Sequence, residues 1–453
     1  MDILSSVGNG VMTVFNFIID AGPTVLLPVI ITIVGLIFGL NFTRAFRAGL
    51  TVAIGYIGIR LILNFMTGQI GPAAQLMVER TGVQLDALDV GWGAIAAVTW
   101  ASPIIAFLIF SIFLVNIIML TTNTTNTLNV DIWNYHHIAI VGVLVHAVTD
   151  SIAMGVLASS VMAVVTFKFA DWSQKDVEEA FGIPGVTFPT VSATSSLIIA
   201  WPMNWLLDKI PFFRNSTFKV ENAARYLGFF GDSMIIGLLL GMAIGFLAGY
   251  DFTGIIQLGI DLAAVLIIIP RMTALFVEGI MPISEAAQTW VTKKFENRKI
   301  FIGLDAAVIV GNENVITTAL ILIPITILMA LILPGNRVMP AADLGIITFR
   351  VAMVIAVTRG NFWKDLLIGG MVTASVLLCA TNTTELITSL AVGQGIETGG
   401  LLISSFSATS LIQSWLVFKA FTWNPFIAIP IFIAVFLGAW YYFEKVKKVT
   451  TYE

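Results

Sequence analysis

The chain has 453 residues, of which 58% are hydrophobic and only 11% are Asp, Glu, Lys or Arg, with a formal net charge of −4. A soluble domain carries about 25% charged residues, and the mean hydropathy here is +0.95. That balance excludes an ordinary soluble enzyme, a disordered chain and a nucleic-acid binder, which needs a basic surface. It fits a polytopic membrane protein.

Residues 1–21 lack a basic n-region and so do not read as a cleaved signal peptide. A spanning helix needs about 20 mostly apolar residues. Candidates follow at Gly22–Leu40, Phe46–Met66, Ala101–Leu120 and Ile138–Phe167, the last long enough for a kinked span or a span plus a half-span. Beyond a polar linker at 206–231 come Ile235–Tyr250, Ile255–Met281, Val315–Leu333, Leu344–Val357, Leu366–Ala380 and Pro425–Tyr442. Thr187–Trp205 and Leu401–Trp415 are apolar but broken by Ser, Thr and Pro. They read as re-entrant hairpins, because non-helical backbone at membrane depth survives only inside protein or beside a wet cavity. Ala73–Leu88 and Ile283–Phe295 are more polar and read as helices lying in the interface plane or, equally, as surface connectors. The fold expected is all-α and polytopic, with about 11 transmembrane helices and two re-entrant hairpins.

Basic residues cluster at Arg44 and Arg47, at Lys209, Arg214, Lys219 and Arg225, at Lys293, Lys294, Arg298 and Lys299, and at Lys445, Lys447 and Lys448. The positive-inside rule puts these clusters in the cytoplasm, with the N-terminus outside and the C-terminus inside.

The two halves resemble each other at a steady offset. Phe42-Thr43 recurs as Phe252-Thr253 and Gly49 as Gly259, 210 positions on. Gly91 and Asp131 recur as Gly303 and Asp343 at 212, and Ser192-Ala193-Thr194-Ser195 as Ser407-Ala408-Thr409-Ser410 at 215. The Arg44/Arg47 loop matches a stretch around Tyr250-Asp251 without Lys or Arg, while the weakly charged Glu79-Arg80 matches the basic 292–299. Basic content swaps between equivalent loops, so the repeats, 22–205 and 232–421, are expected to be inverted. A last helix and cytoplasmic tail then occupy 422–453. Inverted repeats with broken helices point to a transporter that holds its substrate near the midplane.

Ionisable groups inside a membrane are functional candidates by default. Asp305 stands at the mouth of a helix, and Asn312-Glu313-Asn314 forms a polar knot between apolar runs. Carboxylates and amides together suit a ligand with many hydroxyls. Trp92 and Trp100 can stack on its C–H face, with Ser102 close by, although interface anchoring explains the tryptophans equally well. Thr194, Ser195, Thr409 and Ser410 would sit on hairpin tips converging on the ligand, or pack helices together. His146 lies four residues before Asp150 on one helical face and can contact ligand or pack. The single Cys379 forms no internal disulfide, three histidines make no metal cluster, and no phosphate-cradling Gly-rich loop occurs, so neither metal nor cofactor is expected. A second reading makes the chain an ion-coupled transporter of a polyol or sugar acid, with Asp305 and Glu313 as ion sites.

Five blocks carry a resemblance: Asp89-Val90-Gly91-Trp92, Thr99-Trp100-Ala101-Ser102, Asn129-Val130-Asp131-Ile132-Trp133-Asn134, Ile302-Gly303-Leu304-Asp305 and Pro334-Gly335-Asn336. Together they resemble the galactitol-type IIC permeases of the phosphoenolpyruvate-dependent phosphotransferase system, a family similar in fold to the ascorbate-type permeases. The resemblance implies an inner-membrane homodimer in contact with membrane lipids. It also implies a V-shaped scaffold from about 22–67 and 232–281, and a core from the remainder that moves like an elevator. The implied substrate is a polyol, phosphorylated by a separate IIB protein from its own cysteine, with IIA upstream. Cys379, in an apolar span, is not that cysteine. The chain departs from the family pattern at Val186–Thr190 and Gly311-Asn312-Glu313, where histidine is expected, and at Asp150, where a small residue is usual. Arabitol and sorbitol therefore stand beside galactitol as substrates.

Overall fold

A computed structural model describes residues 23–81, 85–129, 131–216, 232–294, 300–310 and 312–449. The segment 1–21, Lys219 and Arg225 of the linker, Arg298 and Lys299, the Glu313 side chain and residues 450–453 lie outside the described residues.

The first half begins with α1 (Pro23–Ile37) and the 40-residue α2 (Phe42–Thr81). The chain then enters the short strand β1 (Ala87–Asp89), α3 (Trp92–Trp100) and α4 (Ile105–Thr121). Helices α3 and α4 meet at 99°. Pro103 lies in this break; it lacks a backbone N–H and disfavours helical backbone at Ser102. Next come β2 (Thr127–Asn129), α5 (Ile132–Thr149) and α6 (Ile152–Phe181). The long apolar run expected at Ile138–Phe167 is thus divided. Asp150 takes left-handed backbone at φ 51°, and Ser151 caps α6 by accepting the Met154 N–H. Strand β3 (Val186–Thr187), the single turn α7 (Val191–Thr194), α8 (Leu197–Leu207) and α9 (Pro211–Arg214) close this half.

The second half repeats the order. Helices α10 (Ser233–Ala248) and α11 (Phe252–Lys294) precede β4 (Phe301–Gly303), a 3-10 turn at Ala306–Val308 and α12 (Glu313–Ile332). Strand β5 (Val338–Met339), α13 (Ile347–Thr358), α14 (Phe362–Gly393), β6 (Leu402–Ser404) and α15 (Ile412–Thr422) follow. The helix break in this half falls at Arg359, with φ 60°, and Gly360, with φ 71°. A last helix, α16 (Pro425–Tyr441), runs into a π-helical turn at Tyr442–Val446.

Six helices among the described residues are long and apolar enough to cross a membrane, and a seventh crossing arises if α3 and α4 form one broken span. The interfacial helices expected after α2 and α11 are instead their own continuations, to Thr81 and Lys294. Beyond Pro72, α2 is rich in Ala, Gln, Leu, Met, Glu and Arg, which favour helix, so the proline does not end it. Helices α1, α2, α10 and α11 pack as one layer. Gly241 allows α10 to lie against α11, since a Cβ there would stand 2.4 Å from the Leu258 carbonyl oxygen.

The six strands form two parallel sheets, in the orders β5-β1-β6 and β2-β4-β3. Each central strand comes from one half and both of its neighbours from the other. Pairing across halves satisfies backbone groups that no helix serves, as burial in apolar surroundings requires. At the edge of the first sheet, Arg337 pairs with Asp86 and Glu385. The Arg337 guanidinium holds the Asp86 carboxyl below its usual range.

Candidate functional site

A cavity of about 230 Å³ lies where the two halves meet. The first half contributes Trp92, Trp133, His136, His137 and Ser192; the second contributes Asp305, Ala307, Ile346, Phe349 and Ser407. The volume is below the ~300–1,000 Å³ of drug-sized pockets and suits a small metabolite.

Each half places the other's lining residue. The Trp92 N–H donates to Asp343 Oδ1 at 2.7 Å, and the Asp305 N–H donates to Asp131 Oδ2 at 3.2 Å. Asp131 also caps α5 by accepting the Trp133 N–H at 2.9 Å. Asp89, at the end of β1, accepts the N–H groups of Asp343 at 2.8 Å and Ala341 at 3.1 Å. Ser405 donates to Asp343 Oδ2 at 2.6 Å and lies 2.8 Å from the Ser407 hydroxyl. In the other sheet, Thr190 accepts the Ala306 N–H at 3.0 Å and donates to Asn134 at 2.8 Å. Asn134 in turn donates to Asn129 Oδ1 at 2.9 Å. Hydrogen bonds that cross between the halves, from Trp92 to Asp343, from Asp305 to Asp131 and from Asp343 and Ala341 to Asp89, therefore hold the cavity walls.

One wall is aromatic. Trp92 meets Trp133 edge-on at 5.4 Å, Trp133 meets His136 at 5.2 Å, and His136 meets His137 at 4.2 Å. His136 Nε2, His137 Nδ1 and the Ser192 hydroxyl are buried without a protein hydrogen-bond partner. A neutral imidazole offers one donor and one acceptor, a hydroxyl offers both, and a carboxylate accepts. Among the described residues, no Lys or Arg lines the cavity. The set suits a neutral molecule rich in hydroxyls whose carbon chain lies against aromatic faces.

Of the residues expected from sequence, Trp92 and Asp305 line this cavity. The repeated Ser-Ala-Thr-Ser tips reach it through their first residues, Ser192 and Ser407. Thr194 and Ser195 instead bind Gln413, at 2.9 and 3.2 Å, while Gln413 donates to Thr166 at 2.8 Å. Ser410 donates to the Ser405 carbonyl, and Thr409 lies 3.5 Å from Ser410. Trp100 and Ser102 are buried at the α3–α4 break, away from the cavity lining. His146 is in the last turn of α5, remote from His136. Asn312 caps α12 by accepting the Asn314 N–H at 3.0 Å. Trp133, His136 and His137 were not singled out from sequence as site residues. Their signal was position, since Trp133 lies in the Asn129–Asn134 block and His136 and His137 follow it after Tyr135.

The family model for the sugar-specific permease component of the phosphotransferase system, EIIC-GAT, matches residues 17–399. The chain belongs to this family. It is 37% identical over 409 residues to the galactitol-specific EIIC component of Escherichia coli (strain K12), covering 90% of this chain and 91% of that protein. The galactitol-specific EIIC component of Escherichia coli O157:H7 matches to the same extent. A third protein, from strain K12 and provisionally named a permease IIC component, is 38% identical over 386 residues, 85% of this chain and 88% of that one. As a phosphotransferase permease component, the chain is a transport protein of the membrane.

Proposed function

We propose that this permease carries galactitol or a closely related sugar alcohol across the inner membrane for phosphorylation by a separate IIB protein, itself recharged by IIA. The observation that carries the reading is the cavity. Its hydroxyls, imidazoles and the Asp305 carboxylate against an aromatic wall are complementary to a neutral polyol, and the relatives include galactitol-specific components.

In this reading the halves are inverted repeats. The exchange of central strands between sheets, the matched offsets and the swapping of basic loops support it. Helices α1, α2, α10 and α11 form the scaffold, and the cavity travels with the remaining core in an elevator movement within a homodimer. The N-terminus faces out and the C-terminus faces the cytoplasm, where the basic clusters meet IIB and IIA. Once the site faces inward, the phosphoryl group leaves the IIB cysteine sulfur for a substrate hydroxyl oxygen. A P–S bond breaks, a P–O bond forms, and the hydroxyl proton is released. Cys379 is buried in α14 and takes no part. Asp305 accepts from one hydroxyl, His136, His137 and Ser192 bind others, and Trp92 and Trp133 cover the carbon chain.

Equilibrium binding of galactitol, sorbitol and arabitol to the purified protein tests the assignment. At least one neutral polyol is expected to bind and its phosphate ester not to compete. Exclusive binding of an anionic sugar acid would overturn it.

A further inference from the structure

The last helix, α16, is anchored at its ends, and between them Phe432 and Phe436 reach the core although no residue of the helix is buried. One end continues from α15 through Trp423 and Asn424. At the other, Phe443 stacks on Trp172 at 4.8 Å and lies 4.5 Å from Trp201, and Glu444 pairs with the buried Lys168. Between these anchors runs a slot of about 870 Å³, walled by α16 on one side and by α6, α8 and α15 on the other.

The slot is apolar along its length, and among the described residues the charged ones that line it are Lys419 and Lys447, with Asp176 behind the wall accepting from Trp201 Nε1 at 3.1 Å. Water would find few partners there, and an empty slot would forfeit dispersion contacts. Acyl chains are thin enough to enter. The two lysines sit at opposite ends of α16, Lys419 in the last turn of α15 and Lys447 just past the π-helical turn, so each faces one side of the membrane. Trp423 lines one mouth, and Trp205 and Tyr442 the other, as aromatic residues do at lipid interfaces. Because Trp201 meets Phe443, the end of α8 with Trp205 and Lys209 faces the same mouth as Lys447. Lys209 lies 3.3 Å over the Trp205 ring.

We propose that this slot is a binding site for an anionic glycerophospholipid. Its acyl chains lie between α16 and the core, and its phosphate meets Lys447 with Lys209 beside it. The bound chains then complete the packing of a helix that the protein alone leaves uncovered.

The test uses the full-length protein purified in neutral detergent and supplied with phosphatidylglycerol or phosphatidylcholine of identical chains. Native mass spectrometry reads retention and thermal unfolding reads Tm. Phosphatidylglycerol is expected to be retained preferentially and to raise Tm more. The double variant Lys209→Gln/Lys447→Gln should weaken its retention by about 30-fold, the effect of two juxtamembrane basic residues. Ala439→Trp, which fills the slot, should displace both lipids. Equal retention of the two lipids by the wild-type protein overturns the proposal, and this comparison stands whether or not a variant folds. Cross-linking of an Ile431→Cys variant to the same position of a second copy across the slot also overturns it.

Discussion

Asp131, in the first half of the chain, accepts the backbone N–H of Asp305, in the second half, at 3.2 Å. The same carboxylate caps α5 through the Trp133 N–H. One side chain therefore sets the positions of an acidic and an aromatic residue that face each other in the cavity. Asp131→Ala removes both bonds, whereas Asp131→Asn keeps an acceptor. A lost cap costs about 0.5–2 kcal/mol of stability. Calorimetric titration with polyol and thermal unfolding should show Ala impaired in binding and stability together, with Asn recovering most of the stability.

Asp305→Asn separates binding from folding. Asparagine can still accept the Ala307 N–H that Asp305 accepts at 2.9 Å, so Tm should hold. Hydrogen bonds to charged groups are worth about 1.5–3 kcal/mol, so the Kd for polyol should rise by roughly 10- to 150-fold. An unchanged Kd would remove Asp305 from the site.

The two serine-threonine tips make a finer distinction. Ser192 lines the cavity with an unpartnered hydroxyl, while Thr194 is bound to Gln413. Ser192→Ala should weaken polyol binding by about 0.5–1.5 kcal/mol, the usual worth of a neutral hydrogen bond, and leave Tm unchanged. Thr194→Val leaves a buried amide unsatisfied and should lower stability by about 1–3 kcal/mol with the affinity of the folded protein preserved. The reverse pattern would mean that the tips meet the ligand through their third residues.

Asp86 gives a modest acid dependence. Its folded pKa is lowered by Arg337, so its contribution is present above the unfolded pKa of about 4. That contribution is lost as pH falls through the lower, folded value. The side chain is 42% exposed, which limits the pair to about 0–1 kcal/mol. Unfolding measured from neutral pH down to pH 3 should show a smaller acid loss in Asp86→Asn than in wild type.

Much of this fold was legible because apolar runs and repeated blocks survive in the sequence. The membrane class and the breaks within Thr187–Trp205 and Leu401–Trp415 followed from hydropathy and from the Ser, Thr and Pro residues that interrupt those runs. The strand exchange was not legible. Strands of two or three residues leave no periodicity, and their partners lie in the other half of the chain. The continuity of α2 through Pro72 was hidden for a related reason, since a proline reads as a boundary although the flanking residues sustain helix. At the site, Asp305 and Trp92 stood out as a charge and a large aromatic ring beside glycines. His136 and His137 did not, because a histidine in an apolar helix looks the same whether it packs or binds. Only the fold brings them opposite Asp305.

Uptake in membrane vesicles separates phosphorylating transport of a polyol from ion-coupled transport. Vesicles bearing the permease with its IIA and IIB proteins, loaded with phosphoenolpyruvate and the general phosphotransfer proteins, are given labelled galactitol, sorbitol or arabitol. Label from at least one polyol should accumulate only as its phosphate ester, only with phosphoenolpyruvate present, and be sharply reduced in Asp305→Asn. Accumulation of free polyol driven by an ion gradient without phosphoenolpyruvate would contradict phosphorylating transport.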